Sequence, residues 1–144
     1  MKISTRGRYA LRIMLDLALA DSGSPVRVKD IAGRQEISEK YMEQIISVLN
    51  KAGFVRSVRG PQGGYFLAKS PEEYTVGMIL RLTEGSLAPV NCLEYGKESC
   101  SRRDGCVTVL LWKKLDEAIR GVVDTVTLKD LVSWSSEHGQ DYSI

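Results

Sequence analysis

Apolar residues recur at helical spacing over most of the chain, and the period changes once, between residues 54 and 67. In residues 6–20, Tyr9, Ile13, Leu17 and Ala20 share one face, with Ala10, Leu11 and Met14 beside them. Arg6, Arg8, Arg12 and Asp16 fall largely on the opposite, solvated face. Ser4 or Thr5 is the predicted N-cap, and the amides it leaves free suit a phosphate. Residues 21–25 form a turn, and residues 26–28 a short edge strand or a lead-in. Residues 28–35 predict a second helix with Val28, Ile31 and Ala32 inward, and Glu36-Ile37 is a tight turn. Ser38 then caps a third helix whose apolar positions are Met42, Ile45, Ile46 and Leu49, and Gly53 stands where a C-capping glycine would.

Two strands follow. Phe54, Val55, Ser57 and Val58 suit the first, and Tyr65, Phe66 and Leu67 the second. Arg59-Gly60-Pro61-Gln62-Gly63-Gly64 is the turn between them, with three glycines and a guanidinium at its base. Helix, tight turn and helix, packed through Ala32 and Ile37, form a helix-turn-helix, and the basic hairpin adds a wing. The expected fold is mainly α with a small β-hairpin: a winged helix-turn-helix domain plus a long C-terminal dimerisation helix.

After the wing, Thr75 caps a fourth helix over residues 76–83. Residues 84–105 show no sustained periodicity, and a loop of that length is functional or disordered. Helical spacing resumes over residues 107–126, where Leu111, Leu115, Ala118 and Val122 make one stripe and Leu110, Trp112, Ile119 and Val123 lie beside it. That face is too wide for a small head to cover, so a twin chain is expected against it. Thr127 caps a last helix, residues 128–137, with Leu131, Val132 and Trp134. The divisions are thus 1–83 for the DNA-binding domain, 84–106 for a cysteine-containing sensor loop, and 107–144 for the dimerisation and C-terminal helices.

Composition changes this picture in one respect. The 144 residues carry a net charge of only +2. Residues 1–70 hold 12 Lys+Arg against 6 Asp+Glu, a balance of +6, whereas residues 71–144 hold 8 against 12, a balance of −4. The half with the hairpin therefore suits a polyanion. No apolar run reaches bilayer length and no signal peptide is evident, so a cytoplasmic chain is expected. Cys92, Cys100 and Cys106 cluster within 15 residues, and an odd number argues for a metal or redox switch over a disulfide framework. An enzyme is not indicated. There is no nucleophile motif, and the glycine-rich stretch at 60–64 lacks the helix a P-loop requires.

The first turns of a recognition helix point at base edges, which makes Glu39, Lys40, Tyr41, Glu43 and Gln44 the candidate contacts. Gln44 suits adenine and Glu43 a cytosine amino group, while Tyr41, Lys40 and Lys51 suit phosphate. Arg59, held at the hairpin tip, suits a narrow minor groove. Gly63 and Gly64 are expected to permit positive φ and a close approach to phosphate, and Arg56 adds charge along the strand.

MKISTRGRYALRIMLDLAL, the ISEKYMEQ helix, SVRGPQGGY and the closing TLKDL together resemble the IscR/NsrR/CymR family of bacterial winged-helix regulators. The resemblance covers nearly the whole chain. It implies a homodimer on an imperfect palindrome of double-stranded DNA, with a long crossing helix between protomers. It implies DNA contacts from the Ser38–Gln44 turn, including Glu43, and from Arg59; together with the residue reading above, the candidate DNA contacts are Ser4, Thr5, Arg6, Ser38, Lys40, Tyr41, Glu43, Gln44, Arg59, Gly60, Gly63 and Gly64. Genes of iron–sulfur assembly, nitrosative stress or cysteine metabolism are the implied targets. Iron–sulfur members carry three cysteines where this chain has Cys92, Cys100 and Cys106, which implies a cluster, 2Fe–2S, and soft thiolates suit it. Seven residues separate the first pair here, two more than is common in the family. The histidine of IscR-like members falls at Val109, and the acidic ligand of NsrR-like members at Arg8. Asp104, Glu94, Glu98, Glu84 or a small exogenous ligand remain as a fourth ligand. A structural zinc, a thiol switch and the cluster-free CymR-like branch stand as alternatives.

Overall fold

The computed structural model describes residues 2–20, 23–94 and 105–139. Helix α1 spans Thr5–Leu19, α2 Val28–Gln35 and α3 Glu39–Lys51. Strands β1, Val55–Val58, and β2, Gly64–Leu67, form the wing. A 3₁₀ turn at Pro71–Glu73 leads to α4, Val76–Glu84. One turn of helix, α5, covers Asn91–Glu94, and α6, Thr108–Val123, and α7, Leu128–Glu137, complete the chain. The fold is a winged helix-turn-helix head with C-terminal helices packed against it.

Helices α1, α3, α4 and α7 begin where a side-chain oxygen takes an orphan amide, whereas α2 and α6 have no side-chain cap. Ser4 Oγ accepts from Gly7 N, Ser38 Oγ from Tyr41 N, Thr75 Oγ1 from Met78 N and Thr127 Oγ1 from Asp130 N. At the last of these the Asp130 carboxylate also accepts from Thr127 N, closing a capping box. Helix α3 stops at the glycine the pattern marks: Gly53 has φ 79°, and Phe54 N donates to Leu49 O at 2.9 Å. The turn between α2 and α3 uses a costlier residue. Glu36 adopts φ 55°, and Ile37 N returns to Ala32 O at 3.0 Å.

One core holds the head together. Ala10, Ile13, Met14 and Leu17 of α1 meet Ile31 and Ala32 of α2, Met42, Ile45, Ile46 and Leu49 of α3, and Val55, Tyr74, Ile79 and Leu128. Burying each larger side chain contributes roughly 1.5–3 kcal/mol. Val26 joins the wing through reciprocal backbone hydrogen bonds with Tyr65, both 2.8 Å, so residues 26–28 split between a bridge and the start of α2.

Asp16 departs from the expected pattern. It is 5% exposed and lies inside the head, where Arg34 Nε and Nη2 donate to it at 3.0 and 2.7 Å and Gln35 Nε2 at 2.9 Å. The Asp16 hydrogen bonds raise the Arg34 pKa further. A lone helical wheel assigned Asp16 to solvent because its partners lie on α2.

Tyr74 ties the wing to α4. Its fully buried hydroxyl donates to Phe54 O at 2.7 Å and accepts from Lys69 N at 3.0 Å, and burial pushes its pKa up. The native state therefore holds this proton more firmly than the unfolded chain does. The resulting stability is present below the ordinary tyrosine range and is lost as pH rises through it. Tyr74→Phe is expected to cost about 1–3 kcal/mol near neutral pH, because it strands a buried carbonyl and amide. It should also flatten the alkaline decline in stability. Urea denaturation at several pH values checks both, and an unchanged alkaline limb would count against the assignment.

Helix α6 ends at Val123, three residues before the expected end at 126. Thr125 Oγ1 folds back onto Gly121 O at 2.6 Å, Val76 N donates to Val126 O, and Thr75 bridges Thr127. Those tertiary bonds take the backbone out of the helix. The stretch from residue 84 likewise holds more structure than its aperiodic sequence suggests, namely the last residue of α4 and the single turn α5.

Candidate nucleic-acid interface

Capping by Ser38 fixes the start of α3, and burial of Met42, Ile45, Ile46 and Leu49 fixes its rotation. The opposite face is left to solvent: Glu39, Lys40, Glu43 and Gln44 are all exposed. Tyr41 is different. It is half-buried, with its ring edge-on to Tyr9 at 5.7 Å, and the Arg12 guanidinium lies 5.1 Å over Tyr9. Arg12 also donates to Gln35 Oε1 at 2.9 Å and to Gln35 O at 2.7 Å. Sequence reasoning missed this chain of supports, which ties α1, the end of α2 and the first turn of α3 together. Tyr9 and Arg12, three residues apart on α1, gave a faint signal of it.

The wing is a four-residue antiparallel pair with Val58 opposite Gly64. Arg56, Ser57, Arg59 and Gly60 are exposed. The glycine roles differ from those expected. The positive φ, 110°, is at Gly60, while Gly63 and Gly64 are not among the positive-φ residues described. A Cβ at Gly63 would collide with Val58 O, and one at Gly64 with Val26 O. These two glycines admit the chain's own backbone, and that closeness sets the shape of the tip.

At the start of α1, Thr5 Oγ1 accepts from Arg8 Nη2 at 3.1 Å, and Arg6 is exposed. Ser4 is exposed, but its amide and hydroxyl are both engaged. Glu84 Oε1 accepts from its amide at 2.9 Å and from its hydroxyl at 2.5 Å. A protein carboxylate thus stands where the sequence suggested a phosphate.

The cysteine segment lies partly beyond view. Cys92 and Cys106 are half-buried, and Cys106 Sγ is 3.1 Å from Thr108 Oγ1. Cys100, Glu98 and Asp104 lie outside the described residues. Among the described residues no three His, Cys, Asp or Glu side chains gather as a metal site. Val109, 8% exposed, has a hydrocarbon side chain, and the Arg8 guanidinium, which donates to Thr5, has no lone pair to offer, so neither supplies a ligand.

The apolar residues of α6 divide between two faces. Val109 and Val123 are buried, and Val123 and Ile119 pack with Leu80, Leu87, Ile3 and Leu11. Arg81 reinforces that seat through a two-pronged ion pair with Asp124, whose carboxyl it holds below the usual range. Val107, Leu110, Leu111, Leu115 and Val122 stay exposed, at 42–78%.

A helix-turn-helix whose second helix shows a polar face, followed directly by a basic hairpin, defines the winged-helix class of DNA-binding proteins. A model of the Rrf2 family, described as an iron-dependent transcriptional regulator, matches residues 3–133, and the chain belongs to that family of DNA-binding transcriptional regulators. The transcriptional regulator IscR of Serratia proteamaculans is 44% identical over 133 residues, which cover 92% of this chain and 80% of IscR. CymR of Bacillus subtilis is 41% identical over 142 residues, 99% of this chain and 97% of CymR. The solved structure of CymR, the global cysteine regulator of B. subtilis, superposes with a TM-score of 0.77 at 41% identity, covering 94% of this chain and 98% of that one. IscR of T. potens gives 0.78 at 41% identity, covering 99% and 94%. The two kinds of relative are about equally similar, so identity alone does not assign the chain to either. The family is one of regulators, not enzymes. Among the described residues no helix is long and apolar enough to cross a membrane.

Proposed function

We propose that the chain is a cytoplasmic, homodimeric regulator that grips an imperfect palindrome of duplex DNA and senses iron–sulfur or redox status through Cys92, Cys100 and Cys106. The observation that carries the DNA reading is the pairing of α3's exposed face with an exposed, guanidinium-tipped wing. Ser38, Lys40 and the α1 start (Ser4, Thr5, Arg6) supply phosphate contacts in this reading. Glu43 and Gln44 meet base edges, Arg59 enters the minor groove, and Gly60, Gly63 and Gly64 shape its approach. Tyr41 contributes mainly by packing on Tyr9. Gln44→Ala is expected to change base preference by about 1–3 kcal/mol at one position. Selection from a randomised duplex pool checks this, and an equal loss on all sequences would remove Gln44 as a reader.

The exposed stripe Leu111, Leu115 and Val122 supports a second copy of the chain as its cover. The inner face of α6 is seated on α4, and in sequence the cysteine segment joins these two helices. A rearranged segment would then change the angle between the α6 pair and the heads, and with it the spacing of the two α3 helices.

Three thiolates suit an iron–sulfur cluster, which when bound supplies a redox-sensitive charge and geometry to the segment. The fourth ligand would come from an oxygen donor of the segment or from a small exogenous ligand. A cluster-free, CymR-like reading is favoured by one observation: apolar Val109 is buried where a histidine ligand would stand. A thiol switch or a zinc site would use the same cysteines. Anaerobic purification with visible absorption and iron and sulfide assays separates these readings. A coloured protein containing both elements is expected, and a colourless, iron-free protein would leave the cluster-free branch.

A further inference from the structure

We infer that Arg12 is a specificity-positioning residue: without touching DNA, it locks the joint between α2 and α3 and, through Tyr9, the first turn of α3. The inference rests on the DNA-binding reading above and adds to it a residue that acts by position. Arg12 Nη2 donates to Gln35 O at 2.7 Å, and its Nε donates to Gln35 Oε1 at 2.9 Å. Gln35 is the last residue of α2, where a carbonyl has no intrahelical donor and the helix dipole presents its negative end. The next residue, Glu36, holds φ 55°, a conformation that costs a residue with a side chain. Arg12 therefore fixes the backbone at the point where it bends into α3. The Gln35 side chain is committed as well. Its Nε2 donates to Asp16 at 2.9 Å, which leaves Oε1 for an arginine that can only donate.

The same guanidinium lies over the Tyr9 ring, 5.1 Å from its centroid, and Tyr9 stands edge-on to Tyr41 at 5.7 Å. Tyr41 follows Lys40 and precedes Glu43 and Gln44, so it sits among the exposed candidate contacts. The buried side chains of Met42, Ile45 and Ile46 hold α3 along its inner face. Tyr41 holds the first turn from the side, and Arg12 holds the ring it leans on. Hydrogen bonds to base edges weaken steeply with misalignment, whereas phosphate contacts carry no sequence information. A displaced first turn therefore costs base discrimination before it costs backbone affinity. The rival role for Arg12, a phosphate contact from the basic side of α1, predicts the reverse.

The test uses the full-length protein with two duplexes, one selected by the wild-type protein from a randomised pool and one of random sequence. The ratio of the two affinities cancels any unfolded fraction, so a loss of stability alone leaves it unchanged. Arg12→Lys keeps the charge and loses the planar fork. It is expected to lower the ratio about 10-fold, the scale of one mismatched base pair, with random-duplex affinity and its salt dependence as in wild type. Arg12→Met keeps the stem, removes the charge and should lower the ratio by a similar factor. Tyr9→Phe keeps the ring and should leave the ratio unchanged. An unchanged ratio in Arg12→Lys would overturn the inference, whatever the thermal midpoint. So would an Arg12→Met variant that lost the same factor on both duplexes and flattened the plot of log K against log salt by about 0.9 per protomer, because Arg12 would then be a phosphate contact. A Tyr9→Phe variant as unselective as Arg12→Lys would make the hydroxyl, not the ring, the link, and the inference would fail. If the wild-type protein enriched no duplex from the pool, the DNA reading itself would fall.

Discussion

Arg59→Ala is expected to weaken binding to duplex DNA by about 1–3 kcal/mol, roughly 5- to 150-fold, with little change in thermal stability. Arg59 is exposed at the end of the first wing strand and has no ion pair among the described residues. The fold therefore gains little from it. Its environment suits a ligand: Gly60 turns at φ 110°, and the tip is drawn close on its own backbone by Gly63 and Gly64. A planar guanidinium fits a narrow minor groove better than an ammonium does, so Arg59→Lys should recover only part of the loss. Fluorescence anisotropy against a selected operator measures the affinity, and calorimetry measures the fold. Normal affinity with normal stability would remove the wing tip from the interface.

Asp16→Ala is expected to be the most damaging single polar substitution, at about 2–3 kcal/mol. Three hydrogen bonds converge on this carboxylate, two from the Arg34 guanidinium and one from the Gln35 amide. Their loss unties α2 from α1. Gln35 also holds Arg12, and Arg12 lies over Tyr9, which packs on Tyr41, so the loosening extends to the first turn of α3. The cost stays below that of breaking a fully buried pair, because the Arg34 side chain is 50% exposed and can return its charge to water. A midpoint lowered by roughly 5–15 °C is expected, with weaker DNA binding even where the variant is folded. A melting curve that matched wild type would show that Asp16 is not the tie.

The caps at Ser4, Ser38, Thr75 and Thr127 were legible in the chain because each interaction spans three residues of the same segment. The helix-turn-helix was legible for a similar reason: Ala32, Ile37, Met42 and Leu49 follow the helical period and are buried as that period requires. The two strands were legible from β-favouring residues on either side of a glycine-rich turn. The exposed candidate contacts Glu43, Gln44 and Arg59 are the polar remainder once the apolar faces are assigned.

What the sequence determined by itself is the order of elements, the caps, the wing and the basic character of the first half, since each depends on neighbours a few residues apart. Tertiary structure alone decided the fate of particular charged and small residues. Asp16 is buried because Arg34 and Gln35 reach it from another helix. Gly7, Gly63 and Gly64 are set by close neighbours that include Glu84, Val58 and Val26. The apolar surface of α6 is split between the head and solvent by its contact with α4. A side chain's own segment sets which way it points, but only the packing of distant segments sets what it meets there.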